Sequence, residues 1–524
     1  MPNLTADVVV VGYGPAGQAA AIQLAQLGWR VVVLEKQPLP YALPRAVGYD
    51  HEIARILQGC GVAGAMRERT AGLCSYDWQD AHGKPLISFP GLDEIGLGGW
   101  PTGTAFSQPD LERIFDERVR QFPSLIGVHR GWEVQGIESD ASGVTVTAVP
   151  FPAAIDADPL VVTARYVIGS DGAGSFVRQA MGSSYRDMGF SAEWVVADLI
   201  PRDPTDWNNS LVQICDPARP RTLVCAGPGR RRVEMMLLPG EHREDFLDVE
   251  RVWVSLASLG WTRENAELER VATYNFRAAI ATSWHEGRLF LVGDAAHLTP
   301  PFAGQGLCAA FRDVQALTWR LHFVLGGRAD AAILDSYQQE REPNAITFVQ
   351  FAVRLGKLIC VLDPVQAEAR DRAVRQSVPG ELVAYPAPVL GASRLMLAED
   401  THAGWLSLQA PVRRNGETRL LDDAIGIDAT GTGFRLIGFG HDPWARLGSV
   451  ERATAGRYGI TPVAIGTPDG FEDPTGAWGA WFAALGADAV LVRPDFYIFG
   501  TGAECDLLHS LDASMATDGG RHLS

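Results

Sequence analysis

Two runs of valine flank an alanine-rich stretch at the start of the chain. This pattern predicts a strand at 7–11, a glycine turn at 12–17, a helix to about Leu27 and a second strand at 30–35. Apolar residues occupy consecutive positions of both strands, which is typical of parallel strands covered on both faces. The chain is therefore predicted to begin with a βαβ unit.

Later segments switch between strand-like and helix-like patterns. Residues 132–170 predict a β-meander that returns to the central sheet, and residues 185–284 predict the short strands of an inserted sheet. A strand at 288–292 precedes a predicted helix from about Gly306 to Leu325. A further helical stretch around 334–358 contains Pro343, which is expected to kink or divide it.

These patterns predict an α/β fold with α+β elements. The predicted organisation is a first domain that is interrupted by an inserted sheet, followed by a connector and a separate small α/β domain. The predicted bounds are 1–184 for the first part, 185–285 for the inserted sheet, 286–362 for the return to the first domain, 363–400 for the connector and 401–524 for the last domain.

Composition and charge limit the kinds of binding partner and the cellular setting that the sequence predicts. The formal net charge is −17 with scattered basic residues, which predicts no nucleic-acid partner. The seven cysteines form no C-x-x-C pair and predict reduced thiols in a cytoplasmic protein. The apolar N-terminal run follows no basic region, so it is predicted to be a core strand rather than a signal peptide. No apolar stretch reaches the roughly 18 residues of a membrane span.

The first chemical motif is Gly12-x-Gly14-x-x-Gly17, between a valine strand and a helix, with Glu35 at the end of the next strand. Glycines allow a tight turn and close approach of a pyrophosphate, and the helix N-terminus supplies N–H donors. Glu35 is then placed to accept hydrogen bonds from a ribose. The motif predicts dinucleotide binding but does not distinguish FAD from a nicotinamide cofactor.

Two further motifs end predicted strands. The stretch YVIGSDGAGSFVR contains Asp171 and Gly172, and by itself it is also compatible with an ordinary Asp-Gly turn. The stretch RLFLVGDAAHLTPPFAGQGL places Asp294 where a carboxylate can accept hydrogen bonds from a polyol. Gly304 and Gly306 follow at a helix start, where backbone N–H groups favour a ligand atom that gains negative charge.

Together, in this order and spacing, the three motifs resemble the class A flavoprotein aromatic hydroxylases of the para-hydroxybenzoate hydroxylase superfamily. The segments RAVGYDHEIARIL, SQPDLERIF and LVRPDFYIFG are similar to the branch that contains 3-(3-hydroxyphenyl)propionate hydroxylase, phenol hydroxylase and polyketide-tailoring hydroxylases. The resemblance implies a Rossmann-like FAD-binding domain, an inserted β-sheet substrate domain and a C-terminal thioredoxin-like domain. That last domain lacks the redox C-x-x-C, so a structural role or an oligomeric role, such as in a homodimer, is expected.

The resemblance also implies the cofactor contacts. FAD is the expected cofactor, and NADPH or NADH is the expected co-substrate without a separate nucleotide-binding fold. The residues implied to hold FAD are Gly12, Gly14, Ala16, Gly17, Glu35, Arg45, Gln108, Val134, Asp171, Gly172, Gly293, Asp294, Pro301, Gly304, Gly306 and Leu307. Asp171 and Gly172 are also implicated in NAD(P)H contacts.

The reaction implied by the family hydroxylates a small aromatic, phenolic substrate with O2 through a flavin C(4a)-hydroperoxide. It needs no metal ion and no protein nucleophile. A phenol has a pKa near 10, so a base or hydrogen-bond relay would raise its reactivity. The candidates are Asp50, His51, Tyr274 and Arg277, each of which also has an interpretation as a surface or helix-cap residue.

Other functions remain open at this point. Related tailoring enzymes that share the three motifs suggest Baeyer–Villiger or epoxidising oxygenation of a polyketide. A flavin reductase that makes no productive use of oxygen, and a non-catalytic flavin-binding protein, are the further alternatives. Sequence alone does not name the substrate.

Overall fold

The computed structural model describes residues 3–40, 46–152, 158–203, 209–377, 385–426 and 433–516. The strands before the inserted sheet are β1 (Asn3–Thr5), β2 (Val8–Val11), β3 (Val31–Glu35), β4 (Gly48–Tyr49), β5 (Thr70–Gly72), β6 (Ser75–Gln79), β7 (Pro85–Pro90), β8 (Thr104–Phe106), β9 (Ile126–Arg130), β10 (Trp132–Ser139), β11 (Val144–Pro150), β12 (Leu160–Ala164) and β13 (Tyr166–Gly169). The later strands are β14 (Tyr185–Pro201), β15 (Leu211–Ile214), β16 (Arg221–Cys225), β17 (Arg231–Met236), β18 (Ala266–Ala281), β19 (His285–Glu286), β20 (Leu289–Leu291), β21 (His297–Leu298), β22 (Pro411–Arg414), β23 (Glu417–Leu420), β24 (Arg435–Phe439), β25 (Thr461–Ile465), β26 (Ala489–Val492) and β27 (Ile498–Thr501).

The helices connect and cover these strands. They are α1 (Pro15–Gln26), α2 (His51–Gly59), α3 (Ala63–Arg67), α4 (Gln108–Val119), α5 (Phe176–Ala180), α6 (Val249–Ala257), α7 (Gly306–Leu325), α8 (Ser336–Ile359), α9 (Pro364–Gln376), α10 (Leu421–Ala424), α11 (Ser449–Tyr458), α12 (Ala477–Leu485) and α13 (Glu504–Met515). Within the described ranges, no helix is long and apolar enough to cross a membrane.

The central sheet has the order β19-β20-β13-β2-β3-β9. β2 pairs in parallel with both β3 and β13, and all four residues of β2 are buried. The predicted βαβ unit is present, because valine runs of this kind are stable only where helices cover both faces of the sheet. The carboxyl ends of β2, β13 and β20 lead into the three glycine-containing motifs at one edge.

The predicted β-meander at 132–170 does not return as a whole to the central sheet. β10, β11 and β12 form a separate four-stranded sheet with β1, and only β13 joins the central one. The reason lies in the residue pattern. β11 alternates buried and partly exposed positions, as expected for a half-solvated sheet, whereas β13 is buried throughout.

The inserted sheet is larger than its predicted segment. Its order is β21-β18-β14-β17-β16-β15-β6-β7, so two strands come from residues 75–90. β6 pairs in parallel with β15. One face packs on α6 through a cluster that includes Val195, Val233, Met235 and Leu256. The other face turns toward the first domain and forms the wall of the cavity described below.

Helix α7 begins at Gly306 and ends at Leu325, as predicted. Pro343 lies inside α8 but does not divide it, and the helix continues from Ser336 to Ile359. The predicted connector contains a helix, α9.

The last domain has a four-stranded sheet with the order β25-β24-β26-β27. β24 and β25 are parallel, and β26 and β27 add in antiparallel fashion. A buried ion cluster joins this domain to α8: Arg493 Nη2 donates to Glu340 Oε2 at 2.6 Å, and its Nε donates to Asp495 Oδ1 at 3.0 Å. Breaking a buried pair of this kind costs about 3–5 kcal/mol, so we expect this cluster to stabilise the packing of the last domain against α8.

Candidate active site

One cavity of about 1650 Å³ runs along the carboxyl edge of the central sheet and under the inserted sheet. It contacts nearly all residues that the sequence singled out. The predicted residues that line it are Gly12, Gly14, Ala16, Glu35, Asp50, His51, Gln108, Val134, Asp171, Gly172, Tyr274, Arg277, Gly293, Asp294, Pro301, Gly304, Gly306 and Leu307. Gly17 lies behind the turn, and Arg45 is outside the described residues.

The first glycine turn forms one end of the cavity. Gly12 has φ +99°, and a Cβ there would lie 2.4 Å from Ser170 O, so only glycine fits. A Cβ on Gly17 would lie 2.1 Å from Gly12 O, which explains the tight packing of helix and turn. Gly14 has no protein atom within 4 Å of a Cβ position and leaves open space in front of α1. No side chain caps this helix, so its first amides remain available to an anion.

Glu35 lies at the end of β3 beside this turn. Its Oε2 accepts from Tyr13 N at 2.8 Å and its Oε1 accepts from Gln37 N at 2.7 Å. These two bonds fix the carboxylate at the cavity edge, while each oxygen retains a lone pair for a sugar hydroxyl.

Asp171 and Asp294 follow β13 and β20. Asp171 Oδ2 accepts from Phe176 N at 2.7 Å and from Val177 N at 3.2 Å. Its Oδ1 is buried and has no hydrogen-bond partner among the described residues, and burial raises the pKa of this carboxyl. Because a buried acceptor without a partner is costly, a donor on a bound ligand would relieve it.

The loop after Asp294 forms the opposite wall. Pro301, Phe302 and Ala303 make a short 3-10 turn that ends at Gly304 with φ +64°. Helix α7 then begins at Gly306 without a side-chain cap, so its first amides face the cavity where Gly306 and Leu307 line it. The site thus has open helix N-termini at both ends, which fits a phosphate at one and a ring that becomes anionic at the other.

Asp50 caps α2 and is held in a buried network. Its Oδ1 accepts from Glu52 N and Ile53 N, and its Oδ2 accepts from Arg312 Nη2 at 2.5 Å. Burial by itself raises the pKa of Asp50. The nearby charges of Arg312 and His51 lower it by more than burial raises it, so the pKa lies below its usual value. The carboxylate of Asp50 is therefore paired with Arg312 and is a weak proton acceptor. It is better suited to holding the surrounding residues in place than to acting as a base.

The same network reaches the loop at 301–305, which precedes α7 and which the family resemblance implies would face the flavin; we call it the flavin-facing loop. Arg312 Nη1 donates to Gln305 Oε1 at 2.7 Å, and Gln305 Nε2 donates to Asp50 Oδ2 at 3.2 Å. Arg312 and Gln305 were not singled out from the sequence. No clear sign in the sequence indicated that Arg312 is buried, because an arginine within a helix usually lies on the solvent-exposed face.

The other three candidate bases differ in environment. His51 Nδ1 accepts from Gly98 N at 3.2 Å. Tyr274 accepts from Arg270 Nη1 at 3.2 Å on β18. Arg277 lies on the same strand, with its side chain 43% exposed and 4.0 Å from Asp187. All three line the cavity; His51 is next to Asp50, whereas Tyr274 and Arg277 lie on β18.

The part of the cavity under the inserted sheet is walled by apolar and aromatic side chains. The wall residues include Leu73, Tyr76, Phe89, Leu92, Val196, Leu211, Val224, Phe276, Phe302, Phe348, Phe351 and Leu355. Phe302 connects the flavin-facing loop to this wall, with ring centroids 5.7 Å from Trp194 and 6.1 Å from Phe276. We call this part the aromatic chamber.

A polar group interrupts the aromatic chamber on β17. Glu234 is 8% exposed and lines the cavity, and Arg232 lies two residues before it on the same face. Arg232 is held by Asp198, with Nε to Oδ1 at 2.7 Å. Sequence reasoning missed Glu234, because charged residues at alternate positions of a strand normally mark a solvated face.

Comparison with known proteins gives matches over most of the chain. Residues 5–352 match the family model described as FAD binding domain, and residues 404–517 match the HcaD C-terminal domain. A probable NADH-specific resorcinol 4-hydroxylase of Rhodococcus jostii (strain RHA1) is 34% identical over 516 residues, with 96% of this chain and 93% of that protein covered.

The chain belongs to the FAD-dependent aromatic hydroxylase family. A 3-(3-hydroxy-phenyl)propionate/3-hydroxycinnamic acid hydroxylase of Mycobacterium sp. (strain JLS) is 31% identical, with 99% of this chain and 92% of the relative covered. This aromatic hydroxylase is thus a flavin-dependent monooxygenase with FAD as cofactor and a reduced nicotinamide as co-substrate.

Two solved structures share the fold over 98% of this chain. The flavin-dependent monooxygenase PieE, in complex with FAD and substrate, has a TM-score of 0.80 at 21% identity and covers 98% of this chain and all of its own. Aklavinone-11 hydroxylase, in a ternary complex with FAD and aklavinone, has a TM-score of 0.76 at 25% identity and covers the same shares.

Proposed function

We propose that this aromatic hydroxylase adds one oxygen atom from O2 to a small phenol of the resorcinol type and uses NADH as reductant. Two relatives above 30% identity, matched over nearly their full length, are named for phenolic substrates, and one of them is named as NADH-specific. The cytoplasmic setting remains a prediction, and the seven free cysteines support it.

The observation that carries the proposal is the continuity between the cofactor cleft and the aromatic chamber. A single ligand site commonly measures about 300–1,000 Å³. The cavity of about 1650 Å³ therefore has room for FAD and a second molecule. Phe302 belongs to both the flavin-facing loop and the chamber wall, so a ring in the chamber would lie next to the flavin.

The cofactor contacts are proposed from the same geometry. Glu35 would hold the adenosine ribose, and the amides after Gly14 would hold the pyrophosphate. Asp294 would bind the ribityl chain, and the first amides of α7 would face the pyrimidine edge. Bound FAD supplies the chemistry of accepting a hydride from the nicotinamide and activating O2.

The protein then orients the phenol and excludes water. Aromatic walls favour a planar ring and desolvate the reacting atoms. Tyr274, Arg277 and His51 are retained as proposed polar contacts of the substrate or nicotinamide. Asp50 would act through Arg312 and Gln305 by fixing the flavin-facing loop.

The test is substrate-dependent turnover. Purified holoenzyme is mixed with NADH or NADPH and a panel of phenols that includes resorcinol and 3-(3-hydroxyphenyl)propionate, while NADH oxidation, O2 uptake and product mass are followed. Hydroxylated product with matching O2 uptake supports the proposal. NADH oxidation that releases only hydrogen peroxide with every phenol contradicts it.

A second candidate is oxygenation of a polycyclic polyketide, including Baeyer–Villiger or epoxidising chemistry. The observation that favours it is the likeness in fold to aklavinone-11 hydroxylase, whose solved complex contains aklavinone. A polycyclic quinone in the same panel discriminates between the two, because only one class should couple O2 uptake to product.

We also propose that the last domain is thioredoxin-like with a structural role. The support is its strand order, with two parallel strands extended by an antiparallel pair, and the helices α11, α12 and α13 that accompany this sheet. A homodimer is part of this proposal, and sedimentation of the holoenzyme would test it.

A further inference from the structure

Glu234 is the buried carboxylate of the aromatic chamber that the proposed function leaves unexplained. It lies on β17, opposite Val196 of β14 and Thr222 of β16. The face of the sheet that carries it is the one that lines the cavity. Its position therefore brings a carboxylate to the place where a substrate ring would lie.

The carboxylate of Glu234 lacks a hydrogen-bond donor within the described part of the chain. The nearest cation is Arg232, whose Nη1 lies 3.9 Å from Glu234 Oε1, beyond hydrogen-bond distance. Thr222 donates to Gln213 Oε1 at 2.9 Å instead, and Gln213 donates to Arg221 O. A buried acceptor that faces a cavity without a donor is a site for a donor on the ligand.

Given the proposed function, on which this inference rests, we propose that Glu234 accepts the hydrogen bond and then the proton of the substrate's phenolic hydroxyl. The step breaks the phenol O–H bond and forms an O–H bond on Glu234, and the electron pair stays on the ring oxygen. The resulting phenolate has an electron-rich ring that reacts more readily with an oxygen electrophile. The product hydroxyl is restored when the proton returns.

The surroundings of Glu234 suit a proton acceptor. Burial raises its pKa to about 7, although Arg232 lowers it, and Asp198 adds to the increase. The pKa of a phenol is about 10. The raised pKa of Glu234 is closer to that value than the pKa of an exposed glutamate, so proton transfer from the phenol costs less free energy. Tyr76 on β6 is a further titratable group near Glu234. Arg270 on β18 is close to this group as well, because it donates a hydrogen bond to Asp198.

The same cluster selects against an aromatic carboxylate. Arg232 is paired with Asp198, Arg243 with Glu193, and Arg312 with Asp50 and Glu52. Each of these three arginines already has a carboxylate partner. None of them is left to neutralise a carboxylate on the substrate, which would be repelled by Glu234, and like charges in a buried site are costly. Arg277 also lines the cavity, but its side chain is 43% exposed and lies 4.0 Å from Asp187. The charges around Glu234 therefore favour an uncharged phenol.

The test compares E234Q and E234D with the wild type, all loaded with FAD to the same content. The matched control is E267Q, which removes an exposed carboxylate of β18 in the same sheet that does not line the cavity. We expect E234Q to lower kcat for resorcinol about a hundredfold, within the range of general-base catalysis. We expect E234D to recover part of this loss and E267Q to stay near wild type.

The pH profile separates proton acceptance from a purely structural role. Wild-type kcat/KM for resorcinol should fall as the pH drops below about 7, because Glu234 becomes protonated. This limb should be absent in E234Q, which should also discriminate less against 3-(3-hydroxyphenyl)propionate. Wild-type rates and an unchanged pH limb in E234Q would overturn the inference.

A wild-type measurement covers the case in which E234Q does not fold. Binding of resorcinol and of its dimethyl ether is followed by the flavin absorbance at pH 6 and pH 8. Affinity for resorcinol should rise severalfold with pH, while that for the ether should stay constant. Equal pH dependence of the two ligands overturns the inference and leaves the proposed function intact, whereas a wild type that hydroxylates no phenol overturns both.

Discussion

Gly12 and Gly14 lie two residues apart in one turn, but they are constrained by different neighbours. Gly12 is confined by Ser170 and by its positive φ, whereas Gly14 is bordered by open cavity. We expect G12A to lower both stability and FAD content. G14A should keep its melting temperature as apoprotein but bind FAD at least about tenfold more weakly, a change of 1.4 kcal/mol.

Flavin fluorescence titration and melting of the apoproteins measure the two effects separately. Equal FAD affinity in G14A and wild type would show that the pyrophosphate does not approach this glycine. The turn was predictable from sequence because glycine spacing directly reports backbone constraints.

Glu234 should reduce stability at alkaline pH. Burial raises its pKa in the folded state to about 7, above the unfolded value of about 4.3. Its favourable contribution is complete below the unfolded pKa and is lost as the pH rises through about 7. At pH 8, E234Q should therefore be more stable than wild type by up to about 4 kcal/mol, while at pH 4.5 the two should differ little.

Thermal melts with excess FAD at both pH values check this. A less stable E234Q at pH 8 would mean that the carboxylate has a donor that stabilises its charge. Glu234 was not predictable from sequence, because its burial depends on the pairing of β17 with β14 and β16, which are distant along the chain.

Helix α8 approaches the aromatic chamber through Gly356. A Cβ there would lie 2.6 Å from Phe190 and 2.8 Å from Phe302. Alanine normally stabilises a helix interior by about 0.5–1 kcal/mol relative to glycine, but in G356A the displacement of two rings should outweigh that gain. We expect a higher KM for the phenol with little change in FAD affinity.

The matched control is G456A in α11, where no atom lies within 4 Å of the Cβ position. It should raise the melting temperature slightly and leave KM unchanged. If G356A behaves like G456A, Phe302 does not define the chamber wall.

Elements with local signals were predicted well. The βαβ unit and α7 follow from contiguous patterns of valine, alanine and glycine, and α7 has the predicted bounds. The sequence did not predict that β6 and β7 join the inserted sheet, because their partner β15 lies more than 130 residues later. Pairing between distant segments leaves no local pattern to detect.

Across the whole molecule, the last domain is connected to the flavin-facing loop. Tyr497 donates to Glu52 Oε1 at 2.8 Å, and Glu52 Oε2 accepts from Arg312 Nε at 2.6 Å. Arg312 then holds Gln305. Y497F should remove a hydrogen bond to a buried charge, worth about 1.5–3 kcal/mol, and should weaken FAD binding.

The control is Y458F, which removes a hydrogen bond from Tyr458 to Asp512 within the last domain. It should lower the melting temperature without changing FAD affinity. FAD titration and melting of both variants decide the matter, and equal FAD affinities in Y497F and Y458F would mean that the last domain does not support the loop.

The central claim is tested most directly by turnover under ¹⁸O₂. Holoenzyme, NADH and resorcinol are incubated with labelled oxygen, and the product is analysed by mass spectrometry. We predict one ¹⁸O atom in the hydroxylated product, with one NADH and one O2 consumed for each product molecule. Unlabelled product, or NADH oxidation that yields only labelled hydrogen peroxide with every phenol tested, would contradict the assignment as a phenol hydroxylase.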